Sequence, residues 1–241
     1  MNRINRILAL MGLGLCMVVS VNANQIQFGY AGSSYGAYQT GIGGEFTLVP
    51  VSPSGWLDVS GYSAAASGVG VAGSFQSFCI EYQEHIDGHG VYNAVQNTDA
   101  VWGGVNLGSD PISLGTGWLY SQFALGTLSG YNYGAGRSVS ADQLQNAIWM
   151  LEGEATFNSL NPYVQLVLNQ VQFGGSWTAA IADGGNTYGV FALNLTDDAG
   201  GRHQDQLYYV AKRTVPDGGL TIILLGIAMG GIGLVARRLM K

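Results

Sequence analysis

The stretch SADQLQNAIWMLE, residues 140–152, decides the fold class, because it is the clearest helical run in a chain otherwise rich in glycine and short strand-like segments. Leu144, Ala147, Ile148 and Leu151 recur at the 3.6-residue period and share one apolar face. Ser140 stands where an N-cap is wanted and Gln143 at the reciprocal position of a capping box, so the spacing predicts a helix over residues 141–152. Asn161 followed by Pro162 starts a second helix, running through Gln170, and residues 116–125 form a weaker third. Runs with strand character surround them at 25–30, 44–51, 56–59, 74–86, 91–95, 188–195 and 206–212. In residues 60–74 (SGYSAAASGVGVAGS) 12 of 15 positions are Gly, Ala or Ser, which predicts a flexible or tightly turning loop. The expected fold class is α+β: a strand-rich single domain over residues 24–214 with about three short helices.

Charge separates that domain from its ends. Only 10% of the 241 residues are charged, against about 25% in an ordinary soluble chain, while 47% are hydrophobic. Between Asn24 and Val215 four basic residues (Arg137, Arg202, Lys212, Arg213) face 14 acids, a net charge of −10. A nucleic-acid partner is therefore not expected, since phosphate recognition needs a basic patch.

Both termini read as addresses. Arg3 and Arg6 precede a 15-residue apolar run at 7–21, and Val21, Asn22 and Ala23 form a small-residue cleavage site, so residues 1–23 are expected to be a secretory signal peptide. At the other end, residues 220–236 carry no charge over 17 positions, near the lower limit for a membrane span, and Arg237, Arg238 and Lys241 follow. The positive-inside rule places that basic tip in the cytoplasm and the central domain outside the inner membrane. Val215, Pro216, Asp217, Gly218 and Gly219 just before the span favour an extended, accessible backbone.

The order VPDGG (215–219), short apolar span (220–236) and basic tail (237–241) resembles the VPDGG variant of PEP-CTERM sorting signals. The resemblance implies an exosortase-type processing enzyme that cuts near the motif. It also implies a precursor anchored in the inner membrane and a product at the cell surface or outside the cell.

Removal of the signal peptide takes Cys16 with it and leaves Cys79 as the only thiol of an exported chain. Such a thiol is buried and inert, paired between chains, or used in chemistry. Cys79 lies in Phe78, Cys79, Ile80, Glu81, Tyr82, and 66 residues on the capped helix holds Gln145, Asn146, Ala147, Ile148, Trp149, with Trp118, Leu119, Tyr120 between. This pattern resembles the thioester domains of bacterial surface adhesins, whose Gln lies in a TQxAIW motif; Leu144 stands here where the motif has Thr. By that resemblance Cys79 supplies the sulfur and Gln145 the acyl carbon of an internal thioester, Ala147 and Ile148 complete the motif, and Phe78, Tyr82, Trp118 and Trp149 are suited to keep water away. Attack of the sulfur on the Gln amide expels ammonia, and the stored bond can then acylate an amine or hydroxyl on a target surface, once per molecule. The bland reading makes Gln145 a helix-surface hydrogen bonder, Trp149 core and Cys79 a small buried hydrophobe.

Glu81, Glu84, His85, Asp87 and His89 put five potential metal ligands within nine residues, but Gly88 and Gly90 mark a strand running into a turn, so a solvated acidic turn is expected rather than a metal site. Glu152 and Glu154 are neighbours near a helix end, facing differently, and His203 alone does not make a Ser/His/Asp catalyst. No nucleophile elbow or phosphate loop appears, and neither an enzyme nor a cofactor is expected. Two function classes remain. One is an adhesin-like exported protein of the cell surface or extracellular matrix with a Cys79–Gln145 thioester. The other is a non-catalytic structural or carbohydrate-binding surface protein, including exopolysaccharide binding by exposed Trp and Tyr, with an inert buried Cys79.

Overall fold

The computed structural model describes residues 24–211 apart from 30–32, 42, 54 and 102–107. The expected signal peptide (1–23), the VPDGG motif, the apolar span and the basic tail, together with Lys212 and Arg213, lie outside the described residues. Within them no helix is long and apolar enough to cross a membrane.

The chain is α+β and strand-rich. Strands β1 (Gln25–Phe28), β2 (Tyr38–Thr40), β3 (Gly43–Ser52), β4 (Phe75–Ser77) and β5 (Val91–Asn97) come first, followed by the short pair β6 (Asp99–Ala100) and β7 (Asp110–Pro111). Helices α1 (Leu114–Ala124), α2 (Arg137–Leu151), α3 (Pro162–Leu168) and α4 (Trp177–Ala180) then precede the hairpin of β8 (Val190–Thr196) and β9 (Arg202–Tyr209). The main sheet is antiparallel, in the order β2-β3-β1-β5-β8-β9, and β4 also pairs with β3. Beyond β4 the chain leaves β3 for the free edge of β9: Leu207 N–H donates to Phe78 O (3.0 Å), Ile80 N–H donates to Asp205 O (3.1 Å), and Cys79 bridges Gln206. The sheet therefore curls until its ends meet around Cys79, which removes two exposed edges.

The core between sheet and helices is aromatic. Phe78 packs edge-on against Phe123 (5.0 Å) and Tyr120 (6.4 Å) of α1, and Tyr62 meets Phe75 and Tyr209. Two of the buried tyrosine hydroxyls are matched by backbone: Tyr120 donates to Gln76 O (2.8 Å), and the Tyr62 oxygen accepts from Tyr209 N (2.7 Å).

Several expectations need correction. There are four helices among the described residues, not three, the fourth being a single turn capped by Ser176. Helix α2 begins one turn before Ser140, whose hydroxyl accepts from Asn132 N instead of capping, and Gly136 at the N-cap makes no side-chain cap bond. The cause is tertiary: Arg137 is drawn inward to Glu45, which extends the helix backwards and offsets the unfavourable cation at a helix N-terminus. Residues 56–59 form a bend and irregular chain rather than a strand, and the expected strand 74–86 shrinks to β4 plus the bridge at Cys79. Asn161 does cap α3, accepting from Tyr163 N and Val164 N with Pro162 at the first turn, and residues 60–74 turn tightly.

Candidate functional site

Phe46 pairs with Ser77 and Leu48 with Phe75; continued by two residues, that register would set Gly44 opposite Cys79. There the strands part, and the Gln145 carboxamide from α2 fills the gap. Its Oε1 accepts from Cys79 N (3.1 Å) and Gly44 N (3.4 Å), and its Nε2 donates to Cys79 O (2.8 Å), so the side chain stands in for the missing length of ladder. Cys79 Sγ lies 3.2 Å from the same Oε1. Since a C=O bond is about 1.23 Å long, the amide carbon is at most about 4.4 Å from the sulfur.

Two glycines make this approach possible. A Cβ on Gly43 would come within 2.5 Å of the Trp149 ring and 2.7 Å of Gln145 Cγ, so β3 and α2 could not close. Gly44 has φ of 114°, a region that side-chain-bearing residues avoid. Sequence reading missed both; the only signal was a Gly-Gly pair at the start of a strand.

The site is dry. Cys79 is 0% and Gln145 1% exposed. Trp149, also buried, is covered by the half-exposed Tyr82 ring, centroids 4.8 Å apart and edge to face. Glu154 Oε2 accepts from Tyr82 N (3.4 Å) at this cover. Ala147 and Ile148 are fully buried on α2. Phe78 points into the α1 core, and Trp118 lies half-buried on α1, with no ring contact to Tyr82 or Trp149 among the described residues. The aromatic cover is thus Tyr82 with Trp149.

Burial pushes the Cys79 thiol well above its ordinary value, and the neighbouring Glu81 carboxyl adds to the rise. The Trp149 indole N–H, which has no hydrogen-bond partner in this geometry, lies close enough to favour the thiolate. Glu81 is 1% exposed; its Oε2 accepts from Asp205 N (3.1 Å) and its Oε1 has no partner. Desolvation, reinforced by Asp205 and Glu84, pushes Glu81 up to about 10 and keeps it protonated at neutral pH. Asp205 is pushed up to about 7 by burial, against the pull of N–H donors from Val101, Asn194 and Leu195. Of the five acidic and His residues of segment 81–89, Glu81 and Glu84 turn toward Gln204, which donates to both their carbonyls. No three Cys, His, Asp or Glu side chains converge as metal ligands among the described residues.

A nucleophile beside a carbonyl whose oxygen is held by two backbone N–H groups is an arrangement for acyl chemistry: the same donors stabilise the oxyanion that forms on attack. No family model, no curated protein and no solved structure matches the chain.

Proposed function

We propose that the chain is an exported, adhesin-like protein of the cell surface or extracellular matrix that stores an internal thioester between Cys79 and Gln145. The observation that carries the reading is the convergence of Cys79 N–H, Gly44 N–H and Cys79 Sγ on one carbonyl oxygen, Gln145 Oε1, in a site shielded from solvent. Cys79 sulfur adds to the Gln145 amide carbon, and the negative charge that develops on Oε1 falls on the two N–H donors. The carbon–nitrogen bond then breaks, the thiol proton ends on the departing nitrogen, and ammonia leaves. An amine or hydroxyl from a target surface later adds to the same carbon, the sulfur leaves as thiol, and the target is joined to Gln145 by an amide or ester. Burial protects the neutral sulfur from solution oxidants, while its raised value opposes formation of the attacking thiolate, which the Trp149 indole beside it favours.

Intact mass tests the reading. The purified protein should be lighter by one ammonia and resist thiol alkylation even when unfolded, until a nucleophile opens the C–S bond, and Cys79→Ala or Gln145→Ala should each restore full mass. Full mass with alkylation of Cys79 only on unfolding would favour the second reading, a non-catalytic structural or carbohydrate-binding surface protein, which the complete burial of Cys79 also accommodates.

The address belongs to the same proposal. An exosortase-type enzyme trims the inner-membrane precursor near residues 215–219, and protein recovered from the cell surface should lack peptides from 220–241. Finding those peptides there would refute the trimming and leave the thioester untouched.

A further inference from the structure

The last turn of α2 forms one wall of a second cleft, of about 290 Å³, separate in its lining from Cys79 and Gln145. The opposite wall is built by Asp110, Ser113 and Asp183. It is tied together by the Ser113–Asp183 bridge, by Leu114 N–H donating to Ala182 O (2.9 Å) and by Gly184 N–H donating to Ile112 O (2.8 Å), so the cleft has a fixed frame. Phe157 and Trp177 close a third side with ring centroids 4.5 Å apart, and Phe157 is 45% exposed. Glu152, 7% exposed, reaches into the cleft from the end of α2. Its Oε1 accepts from Ser113 Oγ (2.8 Å) and Ser113 N (3.2 Å), Oε2 lies 3.4 Å from the same N–H, and the Thr116 side chain adds a further donor to the carboxyl.

Three carboxyls and no Lys, Arg or His line this cleft. Phosphate, sulfate and other anions are therefore rejected. A metal ion needs its ligands at one point, and these carboxyls do not converge on one. Carboxyl groups spread along two walls, with aromatic rings on the third, suit an organic cation, which takes N–H···O bonds on one side and the ring quadrupole on the other. The volume lies at the small end of ligand sites, about 300–1,000 Å³, and fits a slender alkyl chain better than a bulky ring system.

We infer that this cleft binds an alkylammonium group, the charge carried by a lysine side chain or a free polyamine, with Phe157 and Trp177 as its aromatic wall and Asp110, Glu152 and Asp183 as its acceptors. The inference does not rest on the thioester, so its test is run on the full chain carrying Cys79→Ala. Calorimetric titration with spermidine and with N-acetyl-lysine methylamide should show binding that weakens with salt, and Trp177→Ala and Asp183→Asn should each raise Kd about tenfold. Binding of both probes assigns a lysine side chain as sufficient; binding of spermidine alone assigns a polyamine that spans the carboxyls. Asp183 is solvent-exposed, so Asp183→Asn decides the matter if Trp177→Ala fails to fold. No binding of either amine at millimolar concentration, equal binding of cellobiose, or no effect of Asp183→Asn overturns the inference.

Discussion

Helix α2 is fastened to strand β3 at two buried polar joints, one ionic and one neutral. At the ionic joint Arg137 forks onto Glu45, with Nε at 3.0 and 2.9 Å from the two carboxylate oxygens and an ion pair through Nη2. Tyr131 donates to the same carboxylate (2.6 Å), and Tyr38 lies under the guanidinium at 4.4 Å. Two turns along, Gln145 meets Gly44 and Cys79 through neutral groups only. Every strong interaction of Arg137 is already made, so that joint can only hold. At the neutral joint the partner atoms include a nucleophile and an electrophile, so it can react. The ionic joint sets the helix in place, and the neutral one exploits the registry this creates.

The largest effect should follow from breaking the ionic joint. Arg137→Ala leaves Glu45 buried at 0% exposure without a counter-charge and should lower stability by about 3–5 kcal/mol in denaturant titration. Loss of under 1 kcal/mol would mean that α2 is positioned by packing alone.

Acidity touches both joints. Burial raises Glu45 against the pull of Arg137, and near the neutral joint it pushes Glu81 up to about 10 and Asp205 up to about 7; Glu152 is pushed up to about 7 by burial. Acids whose folded values exceed their unfolded ones near 4 bind more protons folded than unfolded, so their contribution is greatest below the unfolded value and falls as pH rises from about 4 to the folded value, about 7 for Asp205 and Glu152 and about 10 for Glu81. The protein should be more stable at pH 5 than at pH 8, by about 2–4 kcal/mol, and Asp205→Asn should flatten that slope. A stability maximum at pH 8 would contradict these assignments.

Gly43→Ala tests the neutral joint directly. The new methyl must displace Trp149 or Gln145, at a cost of about 1–3 kcal/mol, and should leave the ammonia of Gln145 in place by mass. Unchanged ammonia loss would show that the joint tolerates a wider gap than its geometry suggests.

Much of this arrangement was legible in advance. Helices α1, α2 and α3 announced themselves through apolar periodicity and the Asn161-Pro162 start, and most strands through β-branched and aromatic runs bounded by turn residues. Cys79 and Gln145 were paired by motif, and they do meet. The N-terminus of α2 was not legible, because a local capping pattern at Ser140 lost to a buried ion pair 92 residues apart in sequence. The segment after β4 has strand composition but spends its hydrogen bonds on β9 and Gln145, partners that no local pattern names. Gly44 as an oxygen-binding donor was invisible for the same reason: a backbone N–H carries no side-chain signature, and its role appears only once the register of β3 and β4 is known.

Cys79→Ala tests the proposed bond through stability. The variant removes one sulfur from a fully buried position and leaves the bonds from Gln145 to Cys79 N, Cys79 O and Gly44 N intact, since all three are backbone contacts. The small cavity alone should therefore cost about 1 kcal/mol. A formed thioester would add a covalent tie between strand and helix that this variant lacks, closing a loop of 66 residues and disfavouring the unfolded chain by up to about 4 kcal/mol, by analogy with a cross-link of that length. Comparing the melting of Cys79→Ala with that of the parent therefore measures whether the bond exists: a loss near 1 kcal/mol means the joint is only hydrogen-bonded, and a loss several times larger means it is closed.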